Sequence, residues 1–408
     1  MRPITLSNMT YSDFQGLKLS SLGFGAMRLP QLEDGSVDRE TVRQMVDYAI
    51  EHGVNYFDTA APYHAGMSEP ILGEALSRHP RDSWYLATKY PGHQHSKSFN
   101  PAATFEGQLR RCGVDWFDFY LFHNVCENSL ADYMNPEWGM LDYFVEQRRL
   151  GRIRHLGMSS HAEPEVLRQI LDGPYGKAIE FCQIQLNYLD WDLQKAKEKV
   201  AMLNERGIPI WVMEPVRGGK LAKLSESPAS ALKALRHDAS TASWAFRWLQ
   251  DVPGVKVILS GMSNMEQLAD NIRTFESAQP LGAEEKETLA VIAEGLRDSI
   301  PCTACRYCCD GCPAGLDIPA LIAALNDLKV EVTFNTVMRL EALPEDKLPS
   351  ACLGCGACTQ ICPQGIDIPG AMTELAGIFE KAPKWADVCV ERNRIAEMQA
   401  AAEQSGKA

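Results

Sequence analysis

The stretch Asp118-Phe119-Tyr120-Leu121-Phe122-His123 is a short aromatic run that ends on a polar, titratable residue. Runs of this length, rich in aromatic and branched side chains, read as β-strands. Working outward, comparable runs occur at Leu22–Met27, Tyr56–Ala60, Trp84–Lys89, His155–Ser160, Phe181–Asn187, Pro209–Pro215 and Val255–Gly261. Helical patterns fill the gaps, among them Arg39–His52, Ala102–Cys112, Asp192–Arg206 and Thr241–Gln250. Eight alternations of strand and helix predict an α/β protein with a (β/α)8 TIM barrel rather than an open sheet.

The polar residues support the same fold independently. Asp58, Lys89, His123, Ser159, Gln185, Glu214 and Ser260 all fall at or near the C-terminal ends of those runs. In a (β/α)8 barrel that end carries the active site, because the loops there converge on the axis.

A chain of 408 residues has room for a barrel of roughly 250 residues and a smaller second domain. A net charge of −13, with no dense run of Lys and Arg, argues against nucleic acid as a partner. Met1 to Thr10 lacks the basic start and apolar stretch of a signal peptide. With no run of about 18 apolar residues, the expectation is a cytoplasmic protein without a membrane partner.

Of 13 cysteines, nine fall in two bursts. The first holds Cys302, Cys305, Cys308 and Cys312 followed by Pro313; the second holds Cys352, Cys355, Cys358 and Cys362 followed by Pro363. Each has the C-x2-C-x2-C-x3-C-P spacing of bacterial ferredoxins. Three thiolates on one tight loop can cap three irons of a cube, and the proline redirects the chain after the fourth cysteine. The motifs form an internal repeat: Gly315, Asp317, Ile318 and Pro319 recur as Gly365, Asp367, Ile368 and Pro369. Zinc also takes four thiolates, but eight in two identical motifs point to two 4Fe–4S clusters. In two-cluster ferredoxins the fourth cysteine of each motif serves the other cluster. That rule pairs Cys302, Cys305 and Cys308 with Cys362, and Cys352, Cys355 and Cys358 with Cys312. Cys309 is an extra thiol within the first burst, and Ile318 to Leu340, between the motifs, reads as helical. The expected domains are therefore a barrel at 1–298 and a small, mainly helical ferredoxin-like domain at 299–408.

Asp58-Thr-Ala-Ala-Pro-Tyr63, Thr88-Lys89, Asp118 to His123, Tyr63-His-Ala-Gly-Met-Ser-Glu69 and Gly151-Arg-Ile-Arg-His-Leu-Gly157 together resemble the signatures of the aldo/keto reductase superfamily. The whole chain resembles its branch with a C-terminal ferredoxin-like domain. The resemblance implies an oxidoreductase acting on a small-molecule carbonyl or alcohol, with Tyr63 as proton donor. A free phenol, with a pKa of about 10, is a weak acid at pH 7, and a neighbouring Lys89 ammonium would stabilise its anion. Asp58 would hold Lys89 in place, and His123 would orient the substrate oxygen.

The resemblance also implies NADP(H) or NAD(H) across the strand ends. Ser159 and Gln185 match positions that hold the nicotinamide, Gly218 and Gly219 suit the pyrophosphate, and Asp270 and Asn271 lie near the adenine. This chain departs from the family at Ser160, at Met213 in place of a stacking aromatic, and at Gly261 and Gln267 in place of a basic pair. Arg217 or Lys220 would be the substitute charge. Nicotinamide moves a hydride while a cluster moves single electrons, so direct coupling calls for a splitter such as flavin, or for a ferredoxin-like electron donor or acceptor. Two alternatives stand beside electron relay: clusters that are structural or redox-sensing in a nicotinamide-dependent reductase, and an electron-transfer protein without catalysis of its own.

Overall fold

The computed structural model describes residues 8–92, 100–127, 129–224, 226–276, 278–296, 300, 302, 307–330, 332–362, 366–385, 387–391, 394–395 and 397–398. The chain divides into two compact units, Met1–Ala290 with Ile395–Ala408, and Val291–Arg394.

The first unit opens with a hairpin of β1 (Tyr11–Phe14) and β2 (Leu17–Ser20). Its two-residue turn, Gln15-Gly16, has φ of +48° and +86°, the primed-turn geometry that matches the strand twist. Eight parallel strands then close into a barrel: β3 (Leu22–Gly25), β4 (Tyr56–Asp58), β5 (Tyr85–Tyr90), β6 (Phe117–Phe122), β7 (Ile153–Ser160), β8 (Phe181–Gln185), β9 (Ile210–Met213) and β10 (Val255–Gly261). Each pairs with its neighbours in chain order, and β10 returns to β3.

The intervening helices cover the barrel for local reasons. In Arg39–Glu51, Asp38 caps the first turn through the Thr41 N–H, and Val42, Met45, Val46 and Ala49 form the buried stripe. In Pro101–Cys112, Asn100 caps the start, Pro101 fills the first turn, and Gly113 at φ +65° ends the helix. The pattern expected over Asp192–Arg206 is instead two helices, Asp190–Leu193 and Ala196–Glu205, separated by Lys195 at φ +50°.

Inside the barrel, Tyr56, Phe119, Phe181, Trp211 and Val257 form a cluster that also includes Phe14 and Leu19 of the hairpin. The Phe14 ring lies 5.0 Å from both Trp211 and His155. The hairpin thus closes the barrel on the side of the strands' N-terminal halves, leaving the C-terminal ends for chemistry. Among the described residues no helix is long and apolar enough to cross a membrane.

The second unit is helical. Ile318–Val330 and Ile368–Lys381 repeat the same buried register: Ile318, Ile322 and Leu325 on one correspond to Ile368, Met372 and Leu375 on the other. The stretch between the motifs is broken rather than continuous. A second helix, Phe334–Glu341, starts where the side chain of Thr333 caps the Thr336 N–H. Cys305, Pro363 and Gly365 lie outside the described residues, as do His93 and His95.

Candidate active site and candidate cluster site

Asp58 ends β4, Lys89 lies near the end of β5, and His123 follows β6 directly. Tyr63 begins a single 3-10 turn, Tyr63–Gly66, after β4. Adjacent strand ends therefore bring all four residues together. Lys89 is fully buried, and its Nζ lies 2.6 Å from Asp58 Oδ1 and 2.8 Å from the Thr59 carbonyl oxygen. The ammonium also hydrogen-bonds the Tyr63 hydroxyl and stands 5.1 Å from the centre of the Tyr63 ring. The His123 ring meets that of Tyr63 edge-on, with centres 6.0 Å apart. Tyr63 and His123 are half-buried, so the pair of rings is the accessible face of a buried ion pair.

Burial alone would push the Lys89 ammonium down, but the Asp58 carboxylate and the Tyr63 hydroxyl outweigh it and hold the group above the ordinary lysine value. Removing one partner would leave the other charge buried without compensation. Asp58→Ala is therefore expected to destabilise the barrel by about 3–5 kcal/mol, read from the denaturant midpoint of its unfolding. A change below about 1 kcal/mol would show that the pair is not held as an ion pair.

Several supports of this site were not anticipated from sequence. Glu69, fully buried, accepts from Thr88 Oγ1 and Gln108 Nε2 at 2.7 Å each and pairs with Arg111 at 2.7 Å. Gln108 also donates to the Lys89 carbonyl at 3.0 Å, and Tyr133 donates to the His123 carbonyl at 2.7 Å. The available signal was Ser68-Glu69, a polar pair that opens the helix Ser68–Leu76 after the Tyr63 turn. Tyr133 and Trp191 pack into the scaffold: Tyr133 is buried and Trp191 meets Trp248 at 5.2 Å.

Of the residues expected at the nucleotide, Ser159, Gln185 and Asn271 are buried, and these and the half-buried Asp270 are engaged in internal bonds. Ser159 Oγ accepts the Asn124 N–H at 2.9 Å, and Gln185 Nε2 donates to Asp190 at 2.8 Å. Asn271 donates to Ser260 at 2.9 Å, and Asp270 binds Ser240 and Arg273. Gly218 and Gly219 differ from these: with φ of +64° and +99° they present backbone without side chains, as close approach of a phosphate requires. Arg217 is not the substitute charge; it is buried against Asp190, its Nε 3.2 Å from Oδ1. Arg28 is half-exposed and lies 3.6 Å from Glu214. The donors thus fit a nicotinamide nucleotide only in part.

In the second unit, a pocket is lined by Cys312 together with Cys352, Cys355 and Cys358, with Leu316 and Met372 among its apolar wall. This donor set combines the fourth cysteine of one motif with the first three of the other, and it suits a thiolate-bound cube. Among the described residues no three His, Cys, Asp or Glu side chains converge on a single-ion position. Cys302, Cys308 and Cys362 border the same apolar core. Burial, with Cys309 and Cys302 alongside, pushes the Cys308 thiol up to about 12; a bound iron would oppose that by favouring the thiolate.

Comparison with known proteins gives two matches to family descriptions. Residues 21–294 match the aldo/keto reductase family and residues 301–366 match a 4Fe-4S dicluster domain. "Probable aldo-keto reductase 1" of Glycine max is 26% identical over 297 residues, covering 63% of this chain and 81% of that protein. "Uncharacterized oxidoreductase YqkF" of Bacillus subtilis is 26% identical over 303 residues, covering 67% and 92%. Among solved structures, the holo form of aldo-keto reductase AKR11C1 from Bacillus halodurans aligns with a TM-score of 0.57 and 26% identity, covering 70% of this chain and 96% of that one.

Proposed function

Since the chain belongs to the aldo/keto reductase family and carries a 4Fe–4S dicluster domain, we propose that it reduces or oxidises a small carbonyl or alcohol at Tyr63, with two 4Fe–4S clusters relaying electrons. The observation that carries this reading is Lys89, buried on Asp58 at 2.6 Å and hydrogen-bonded to Tyr63.

In the reducing direction, the substrate carbonyl oxygen sits between Tyr63 and His123. His123 orients that oxygen, and Tyr63 gives its hydroxyl proton as negative charge develops there. Lys89 stabilises the phenolate left behind, and Asp58 keeps Lys89 charged and aimed. In the oxidising direction the same phenolate takes the alcohol proton. The low-dielectric floor of buried Asp58 and Lys89 makes each of these interactions stronger than it would be in water. When bound, a nicotinamide would supply or accept hydride and the clusters single electrons. Cys302, Cys305, Cys308 and Cys362 would hold one cluster, and Cys352, Cys355, Cys358 and Cys312 the other. Ser159, Gln185, Gly218, Gly219, Asp270 and Asn271 are the residues proposed for a nucleotide, with Gly218 and Gly219 the best suited.

Anaerobic stopped-flow absorbance of the fully loaded protein tests the relay. Reduced ferredoxin or dithionite is expected to bleach the iron–sulfur band, and NADH or NADPH alone to bleach it only if a flavin is bound as splitter. Failure of every one-electron donor to bleach the band would remove the relay and favour clusters that are structural or redox-sensing.

A further inference from the structure

Tyr63 stands at the head of a crowded turn. The next three residues, His64, Ala65 and Gly66, have φ of +51°, +52° and +88°. Glycine reaches that region freely, but the other two carry a Cβ that crowds the neighbouring carbonyl oxygen. Two consecutive non-glycine residues of this kind persist only where the surroundings over-determine them.

The His64 ring supplies such a restraint. Its Nε2 receives the Leu29 N–H at 3.0 Å. A backbone N–H can only donate, so Nε2 carries no proton and the other ring nitrogen does. The backbone carbonyl of Met27 lies beside the ring. The ring is half-buried, and burial favours its neutral form.

This attachment is made to the segment that follows β3. The far end of the turn is tied to that segment too, since Ser68 donates to the Ala26 carbonyl at 2.9 Å. Tyr63 therefore sits on a loop fastened at both ends to the loop next door. Of the two fastenings, only the one at His64 acts on the left-handed residues themselves.

We infer that His64 is a positioning residue for Tyr63: its ring, anchored at Nε2 by the Leu29 N–H, fixes the left-handed turn that sets the Tyr63 hydroxyl against Lys89. This rests on the reading of Tyr63 as proton donor. Without the ring, the turn relaxes towards ordinary backbone angles and the phenol leaves the ammonium that stabilises its anion.

The test reads the Tyr63 phenol rather than turnover. Ultraviolet titration of the loaded protein near 295 nm, wild type minus Tyr63→Phe, isolates the Tyr63 curve, expected below the ordinary phenol value of about 10. In the His64→Ala background the same subtraction is expected to move the curve upward by about one pH unit or more. His64→Gly removes the ring but also the strain at this position, because glycine reaches the left-handed region freely, so it should fold readily and shift the curve less than His64→Ala. His64→Gln, whose amide oxygen can receive the Leu29 N–H, should return the curve most of the way to wild type. A folded His64→Ala protein whose curve superimposes on wild type would overturn the positioning role. A wild-type Tyr63 curve at or above the ordinary phenol value would instead refute Tyr63 as an activated donor, and the role of His64 would fall with it.

Discussion

Tyr63→Phe is expected to lower turnover of a test aldehyde such as 4-nitrobenzaldehyde by about 10²- to 10⁴-fold, with iron content unchanged. The substitution isolates the hydroxyl. Phenylalanine keeps the ring that lies edge-on to His123 at 6.0 Å and 5.1 Å from Lys89 Nζ. Lys89 keeps Asp58 at 2.6 Å and the Thr59 carbonyl at 2.8 Å, so no charge is stranded. What disappears is the one group that can hand a proton to the substrate oxygen while resting against a buried ammonium. The loss should fall on kcat more than on KM, because the proton moves in the transition state. Turnover within about twofold of wild type would sink Tyr63 as donor and leave the barrel's chemistry to another residue.

The barrel was legible because seven of its eight strands end at or beside a side chain that a purely structural strand would not need. Asp58, Lys89 and His123 mark both the strand ends and the site. Strand boundaries drifted by at most two residues, as at β7, which begins at Ile153 rather than His155. The hairpin β1–β2 was not anticipated: its strands are four residues each, too short to show a period, and Phe14 is recognisable as a plug only once the barrel that it closes exists. The break at Lys195 was hidden because a left-handed lysine has no signature in composition. The supports around Lys89 are long-range contacts, such as Glu69 with Arg111 across 42 residues, and no local pattern encodes those. His64 was visible as a histidine beside the site, but its direction, towards Leu29 and away from a substrate role, depends on backbone angles that the residue type does not announce.

Cys312→Ser is expected to remove the cluster of the second motif, not that of its own, and to halve the iron bound per chain. The pocket that groups Cys312 with Cys352, Cys355 and Cys358 supports the proposal of Cys312 as the fourth ligand there, in line with the rule for two-cluster ferredoxins. A serine hydroxyl is a poor substitute for a thiolate on iron, and the remaining three cysteines would hold an incomplete cube. Double variants identify which cluster has gone, since two ligands of one cluster act as a unit and their losses do not add. Cys312→Ser with Cys355→Ser should bind as much iron as Cys312→Ser alone, whereas Cys312→Ser with Cys302→Ser should bind almost none. The opposite pattern would assign Cys312 to its own motif and disprove the exchange of ligands. The exchange also couples the two repeats, because each motif then completes the other's cluster across the interface of Ile318–Val330 and Ile368–Lys381. Loss of either cluster should therefore lower the melting temperature of the whole second unit. Specific activity of the folded Cys312→Ser protein then separates the two roles left for the clusters: a relay loses turnover with the cluster, and a clamp does not.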